Sequence, residues 1–238
     1  MRWLERTELL VQKEGLDALK KANILIVGLG GVGSYAAEFI ARAGVQKMTI
    51  VDGDFFDETN KNRQLPALDS TIGKSKAKVL AARLKDINKD ISLTVLEEFL
   101  SPERAYEIVS KEFDYVLDCI DSITPKVNLI VAARRKKVKI ISSMGAGGKL
   151  DATKIKVKDI SKTKNCSMAR VLRKRLKERK VDKGVKAVYS DEMQISKSVK
   201  ITDGTNFKKS YYGTISYIPA AFGLQAAAHV INVLLKKH

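Results

Sequence analysis

An α/β fold with a doubly wound, mostly parallel sheet is predicted by three features of the sequence. Short apolar runs alternate with helical segments. The first of these runs opens directly into a glycine-rich turn. The charge balance changes sign midway along the chain. At 238 residues there is room for one such sheet with an appended part, at about 150 residues per domain. A chain of this length buries roughly 70–75% of its unfolded surface, so its core needs no disulfide or metal.

Residues 8–21 read as a helix, with Leu9, Leu10, Leu16 and Leu19 as its apolar positions. Residues 23–28 are a short apolar run, typical of a strand buried on both faces. Gly28-Leu29-Gly30-Gly31-Val32-Gly33-Ser34 follows at once, then a helical stretch from Tyr35 to Ala43 stopped by Gly44. Met48 to Val51 is a second strand, ending at Asp52. This is a βαβ unit with its turn where phosphate binding requires it, so the sheet is expected to be Rossmann-like. Residues 54–73 are polar and irregular. A helix over 74–87 and a strand over 93–95 come next. Ser101-Pro102-Glu103 predicts a helix start, with Ser as N-cap and Pro at the first helical position. A buried strand over 115–120, a helix over 127–135 and a strand over 139–143 complete this part, closed by Gly145-Ala146-Gly147-Gly148.

The remainder differs in character. Met168, Val171, Leu172 and Leu176 recur at helical spacing inside the basic segment 161–186. Between 170 and 186 there are nine basic and two acidic residues. Strands are expected over 185–195 and 198–201. The segment from Ile215 to Leu235 is nearly apolar, but Pro219, Gly223, Gln225, His229 and Asn232 interrupt it. A buried or dimer-interface helix is therefore expected rather than a membrane span. The start of the chain has no long apolar stretch, so no signal peptide is visible and the cytoplasm is the expected compartment.

Lys and Arg number 44 and Asp and Glu 27, a net charge of +17. Residues 1–121 carry 17 basic and 20 acidic residues, so the basic field belongs to the second half alone. Such asymmetry points to a polyanion partner, nucleic acid ahead of membrane. A uniformly basic surface would not leave the first half near neutrality. The only cysteines are Cys119 and Cys166, and no Cys-x-x-Cys pair exists. A four-cysteine zinc site and a disulfide scaffold are both excluded for the single chain.

The glycine motif alone fits an NAD, a flavin or another nucleotide site. Asp52, 24 residues after Gly28 at a strand end, is placed to hydrogen-bond a ribose. Asp54, then Asn60, Arg63 and Gln64, then Lys76, and later Asp121 and Ser122 add cations and carboxylates that hydride transfer does not need. Attack at a phosphate does need them: Arg63 and Lys76 could offset triphosphate charge, and Asp121 could hold Mg²⁺. As plain structure, Asn60 and Gln64 would be loop caps and Arg6 a solvated surface residue. Cys119 reads as a packed small side chain. Cys166 lies in a basic polar segment that could activate a thiol, and a sulfur-relay role there would bring in a sulfur-acceptor or cysteine desulfurase protein.

The pattern GxGGVGS at 28–34, DxD at 52–54, NxNRQ at 60–64, IGxxK at 72–76 and DCxDS at 118–122 resembles the E1-like adenylating enzymes of the ThiF/MoeB/HesA type. The resemblance implies ATP-dependent adenylation of a carboxylate. It implies nucleotide contacts from Gly28, Gly30, Gly31, Gly33, Asp52, Asp54, Asn60, Arg63, Gln64, Lys76 and Ser122, with Mg²⁺ on Asp121. It gives catalytic roles to Arg63, Lys76, Asp121 and Arg6, the last reaching across a homodimer to the partner's ATP. Within that superfamily the chain is most similar to the tRNA N6-threonylcarbamoyladenosine (t6A) dehydratase branch. The motifs are Arg6-Thr7-x-Leu9-Leu10, residues 142–163, the basic stretch 170–181 and VYSDE at 188–192. Members often carry Asp-Pro where this chain has Cys166-Ser167.

This resemblance implies dehydration of t6A to its cyclic form, with t6A-bearing tRNA as partner and Arg170, Arg173, Lys174, Arg175 and Lys177 facing the RNA. On this reading residues 1–150 are the ATP-binding Rossmann-like adenylation core. Residues 151–238 are a basic C-terminal part of one continuous domain. Adenylation of a ubiquitin-like sulfur carrier is the alternative, disfavoured by the missing Cys-x-x-Cys pairs and the basic second half. A non-catalytic NAD-binding or nucleic-acid-binding module is a third reading.

Overall fold

Four apolar runs become parallel strands, each followed by a helix or a long connection that carries the chain back to the end of the sheet where strands begin. In the computed structural model, which describes residues 2–201 and 210–236, these are β1 (Asn23–Val27), β2 (Lys47–Val51), β4 (Tyr115–Asp118) and β5 (Ile140–Ser143). With β3 (Ser92–Leu96), β6 (Ile155–Asp159) and β7 (Lys186–Ser190) they form a seven-stranded sheet in the order β3-β2-β1-β4-β5-β7-β6. All pairings are parallel except β6 with β7. The sheet is thus Rossmann-like and doubly wound, with its order reversing between β1 and β4. In open α/β sheets that reversal leaves a crevice beyond the strand ends.

The helices cover both faces. They are α1 (Glu5–Lys21), α2 (Gly33–Arg42), α3 (Lys76–Ile87), α4 (Pro102–Ile108), α5 (Ile123–Arg135), α6 (Ser167–Glu178) and α7 (Tyr217–Leu235). One buried cluster joins Ile24, Ile26, Ala37, Ile40, Leu80 and Phe222, between β1, α2, α3 and α7. The other joins Leu25, Val27, Val116, Ile130, Leu172 and Leu176, beneath α5 and α6. Successive β1 residues enter opposite clusters, as a strand buried on both faces must.

Several boundaries move for identifiable reasons. The helix expected from residue 8 begins at Glu5, where Leu4 is buried. It is interrupted at Gln12, whose φ of 61° and ψ of 173° are not helical. Leu16 and Leu19 face the core, whereas Leu9 and Leu10 are 73% and 83% exposed. The helix expected from Lys74 begins after Ser75, whose hydroxyl accepts the Lys78 N–H. Ser101 does cap α4, accepting the Arg104 N–H at 3.1 Å. The strand expected over 185–195 stops at Ser190, where the chain turns and Ser190 Oγ accepts the Glu192 N–H. The edge strand β6 went unread: Ile155-Lys156-Val157-Lys158 alternates, and its lysines suit an edge. A two-stranded unit of β8 (Val199–Ile201) and β9 (Ser210–Tyr212) stands apart from the main sheet.

Among the described residues only α7 has the length and apolarity of a membrane span. Its Ile218, Phe222, Ala226, Val230 and Leu234 are buried in the core. His229 is half-buried along the same face, 3.2 Å from the Tyr115 hydroxyl. Burial pushes its imidazole below the ordinary value, so it is neutral at pH 7.

α2 and α3 are tied by Glu38, which accepts hydrogen bonds from Arg83 and, at 2.8 Å, from Arg42. Burial pushes the Glu38 carboxyl up, but the two guanidiniums outweigh it and hold the group below its ordinary value of 4.5. The stabilisation is therefore complete above that value and is lost as pH falls through the lower folded value. Glu38→Gln is expected to cost about 1 kcal/mol at pH 7. Thermal melts of the two proteins should converge as pH falls through the lowered Glu38 value.

Candidate functional site

The glycine loop leaves the end of β1 and enters α2. Gly28 has a φ of +88° and lies so close to the β4 strand end that a Cβ there would sit 2.8 Å from the Cys119 carbonyl carbon. A Cβ on Gly33 would sit 1.7 Å from the Gly28 oxygen. Both positions therefore exclude a side chain. Gly31 packs against Pro219 of α7 and the Arg63 carbonyl. No side chain caps the start of α2, where the Ser34 N–H donates to the Gly30 carbonyl at 3.1 Å.

Asp52 closes the loop from the next strand. Its Oδ2 accepts the Leu29 N–H at 2.6 Å and its Oδ1 the Asp54 N–H at 2.9 Å. Burial pushes this carboxyl up from its ordinary value, against the two backbone bonds. Asp54 is exposed and ion-paired with Lys76, which is buried at the first position of α3.

The NxNRQ segment leans over the loop. Asn60 is buried and its Oδ1 accepts the Asp57 N–H, so it does serve as a turn cap. Arg63 is half-buried, and its Nη1 donates to Thr59 O and Asn62 Oδ1, both at 2.8 Å. Asn62 in turn donates to Thr214 O at 2.9 Å. Gln64 is buried beside Gly30, and its Oε1 has no hydrogen-bond partner. A buried amide oxygen left unpaired is costly and marks a place where a ligand or water completes the bonding. Asp121 and Ser122 form the turn after β4, with Ser122 as N-cap residue of α5.

The structure thus gathers Gly28–Gly33, Asp52, Asp54, Asn60, Arg63, Gln64 and Lys76 around one loop, and Asp121 and Ser122 at the neighbouring strand end. An open glycine loop, a helix start with no side-chain cap and the cations Arg63 and Lys76 suit a nucleotide triphosphate. Among the described residues no cluster of three or more His, Cys, Asp or Glu could hold a metal alone. Mg²⁺ held by one carboxylate and substrate phosphates needs no such cage.

Arg6 lies apart, exposed on the first turn of α1 near Trp3, Leu9 and Leu10. In the basic helix α6, two of the five cations expected to face RNA bond within the chain. Leu172 and Leu176 are buried as expected, but Val171 is 40% exposed. Arg173 is committed inward, donating to the Thr163 carbonyl and hydroxyl. Arg175 donates to Thr124 Oγ1 at 3.0 Å. Arg170, Lys174 and Lys177 are exposed.

Within its basic polar segment Cys166 is itself only 7% exposed, and its sulfur caps α6 by accepting the Ala169 N–H. Cys119 is half-buried, and desolvation pushes its thiol up to about 12.

Sequence reasoning missed two groups. Lys149, in the loop after β5, is buried and donates to the carbonyls of Glu192 at 2.6 Å and Ser190 at 3.4 Å. Glu192 reciprocates by accepting the Leu150 and Asp151 N–H groups. Both halves of this mutual clamp lie in motifs visible in the sequence, GGKLD at 147–151 and VYSDE at 188–192, but nothing local says they meet. The second group is Asp118, Lys126 and Ser142, beneath the β4–α5 turn.

Three comparisons bear on this arrangement. The ThiF family model matches residues 4–238. A tRNA threonylcarbamoyladenosine dehydratase of Bacillus subtilis is 38% identical, over 97% of this chain and 94% of its own. The crystal structure of Escherichia coli tRNA N6-threonylcarbamoyladenosine dehydratase, TcdA, in complex with ATP superposes with a TM-score of 0.89 at 35% identity. It covers 99% of this chain and 95% of its own. The AMP complex of the same E. coli enzyme gives 0.88 at 36% identity, covering 98% and 93%.

Proposed function

The chain belongs to the ThiF family, and on that premise we propose that it is an ATP-dependent tRNA t6A dehydratase. The observation that carries the reading is likeness over nearly the full length of both chains to enzymes of that name, one of them solved with ATP.

The threonyl carboxylate of t6A attacks the α-phosphorus of ATP, and pyrophosphate leaves. A nitrogen of the same modified base then attacks the acyl carbon of the mixed anhydride. Ring closure expels AMP, so the base has lost one water. The nucleophile is tethered to the activated carbon, and effective molarity replaces an enzyme nucleophile. This accords with one buried and one half-buried cysteine.

Each site residue has a role in this reading. The glycine loop and the start of α2 receive the phosphates through backbone N–H groups. Asp52 meets the ribose. Asn60 and Gln64 complete the phosphate pocket, Gln64 through its donor Nε2, the atom that lies nearest Gly30. Arg63 and Lys76 stabilise charge building at the α-phosphate. The pair with Asp54 takes one of the three Lys76 donors. Asp121, with Ser122 beside it, would hold Mg²⁺, which when bound neutralises triphosphate charge. Arg6 completes a partner's site in a homodimer, a role supported by exposed Trp3, Leu9 and Leu10 around it. ATP and tRNA as substrates put the reaction in the cytoplasm.

The deciding experiment is nucleoside mass analysis. The protein is incubated with ATP, Mg²⁺ and t6A-bearing tRNA, and the digest is searched for t6A lighter by one water. Loss of water only with ATP supports the reading. Untouched t6A alongside ATP–pyrophosphate exchange overturns the acceptor and leaves adenylation of a protein carboxylate.

The tRNA surface is proposed on α6, now restricted to residues facing solvent. Reversing Arg170, Lys174 and Lys177 to Glu is expected to weaken tRNA binding. The salt slope should fall by about one for each phosphate no longer neutralised. Filter binding from low to high salt reads this. An unchanged slope would leave α6 as a solvated face.

A further inference from the structure

Beneath the turn that carries Asp121 lies a closed polar group with no role in the reaction just described. Asp118 ends β4 and Lys126 sits in α5, and both side chains are 0% exposed. Ser142 of β5 is buried beside them. Lys126 Nζ donates to Asp118 Oδ2 at 2.9 Å and to Ser142 Oγ at 3.3 Å. The Ser142 hydroxyl donates to the same Asp118 oxygen at 2.6 Å. The remaining oxygen, Oδ1, accepts the Ile120 N–H at 3.1 Å.

A buried ion pair is a poor way to stabilise a core, because desolvation offsets its attraction and apolar packing does as well. What this group does that apolar packing cannot is fix the path of a turn. The Asp118 carboxylate is bonded to α5 and β5 through one oxygen. Through the other it sets the chain at 118–120, one residue before Asp121. Lys126 closes the first turn of α5 as well, its N–H donating to Ser122 O at 3.3 Å. The turn so held is also a wall of the glycine loop: the Cys119 peptide lies against Gly28, and Cys119 Cβ lies against Gly33.

We infer that Asp118, Lys126 and Ser142 are positioning residues that hold the 118–122 turn against the glycine loop and set the affinity for Mg·ATP. The inference rests on the nucleotide site assigned above. It concerns residues that touch neither nucleotide nor RNA.

The test replaces the whole group by apolar residues of similar size, Asp118→Leu with Lys126→Met and Ser142→Ala, so that no charge is left unpaired. The triple variant is expected to melt within a few degrees of the parent. Its affinity for Mg·ATP by titration calorimetry is expected to fall at least tenfold. The KM for ATP should rise in step, while tRNA affinity in filter binding stays unchanged. A folded triple variant that binds Mg·ATP within twofold of the parent overturns the inference and leaves the group structural.

If the triple variant does not fold, Ser142→Ala alone keeps the charge pair. It is expected to weaken Mg·ATP binding two- to fivefold, and an unchanged affinity overturns the inference. A parent that binds Mg·ATP but leaves t6A untouched defeats the dehydratase reading and not this one. A parent that binds no Mg·ATP defeats the site on which both rest.

Discussion

Arg63→Ala is expected to lower turnover by roughly 100- to 1,000-fold, the usual cost of one preorganised charge-stabilising donor, while tRNA affinity stays within twofold. Arg63 is suited to this by how it is held. Its Nη1 bonds to Thr59 O and Asn62 Oδ1 fix one side of the guanidinium, and its carbonyl backs Gly31. A fork fixed in advance loses little entropy when a phosphate arrives. Arg63→Lys should recover only part of the loss, because an ammonium is a point charge without the fork. Asp121→Ala should be comparably inactive, with an added demand for Mg²⁺. Single-turnover conversion of t6A, measured beside filter binding of tRNA, separates chemistry from docking. Full activity in Arg63→Ala would remove that residue from the phosphate site.

Gly33→Ala should be the most damaging small substitution in the chain. The added carbon would lie 1.7 Å from the Gly28 oxygen, where no atom can sit. The loop has nowhere to move, since Gly28 is itself pressed on the Cys119 peptide. A loss of about 3 kcal/mol or more is expected in thermal unfolding, with Mg·ATP binding abolished. Gly30→Ala is the informative contrast. Its added carbon would meet nothing closer than Gln64 Nε2 at 3.6 Å, so the fold should lose no more than about 1 kcal/mol. Its ATP affinity should still fall, because a methyl would stand between the backbone and the phosphate. A Gly33→Ala protein that melts with the parent would show that the loop is not built as described.

Much of this architecture was legible because its causes are local. Apolar runs of four to six residues announced the parallel strands, and Ser101-Pro102 announced α4 down to its cap. The chemistry-bearing motifs were equally visible, because a tight turn against a phosphate admits few residues besides glycine. β6 was not legible: five alternating residues with lysines between read as polar loop until β7 supplies a partner. The apolar positions of α1 were half misread, because periodicity does not say that Leu9 and Leu10 lie beyond the reach of the core.

Read alone, then, the residues specify the parallel strands with the helices between them, the glycine loop and the placement of the basic field in the second half. Each follows from residues adjacent in the chain. Only the tertiary structure decided which charges are spent internally. Arg173 turns to Thr163, Lys149 reaches carbonyls some forty residues away, and Lys76 closes on Asp54. Lys126 is the sharpest case. In sequence it is one more lysine on a helix, yet it is fully buried against Asp118 and Ser142. A lysine's partner is set by where two strand ends and a helix start converge, and that convergence is a property of the packed sheet.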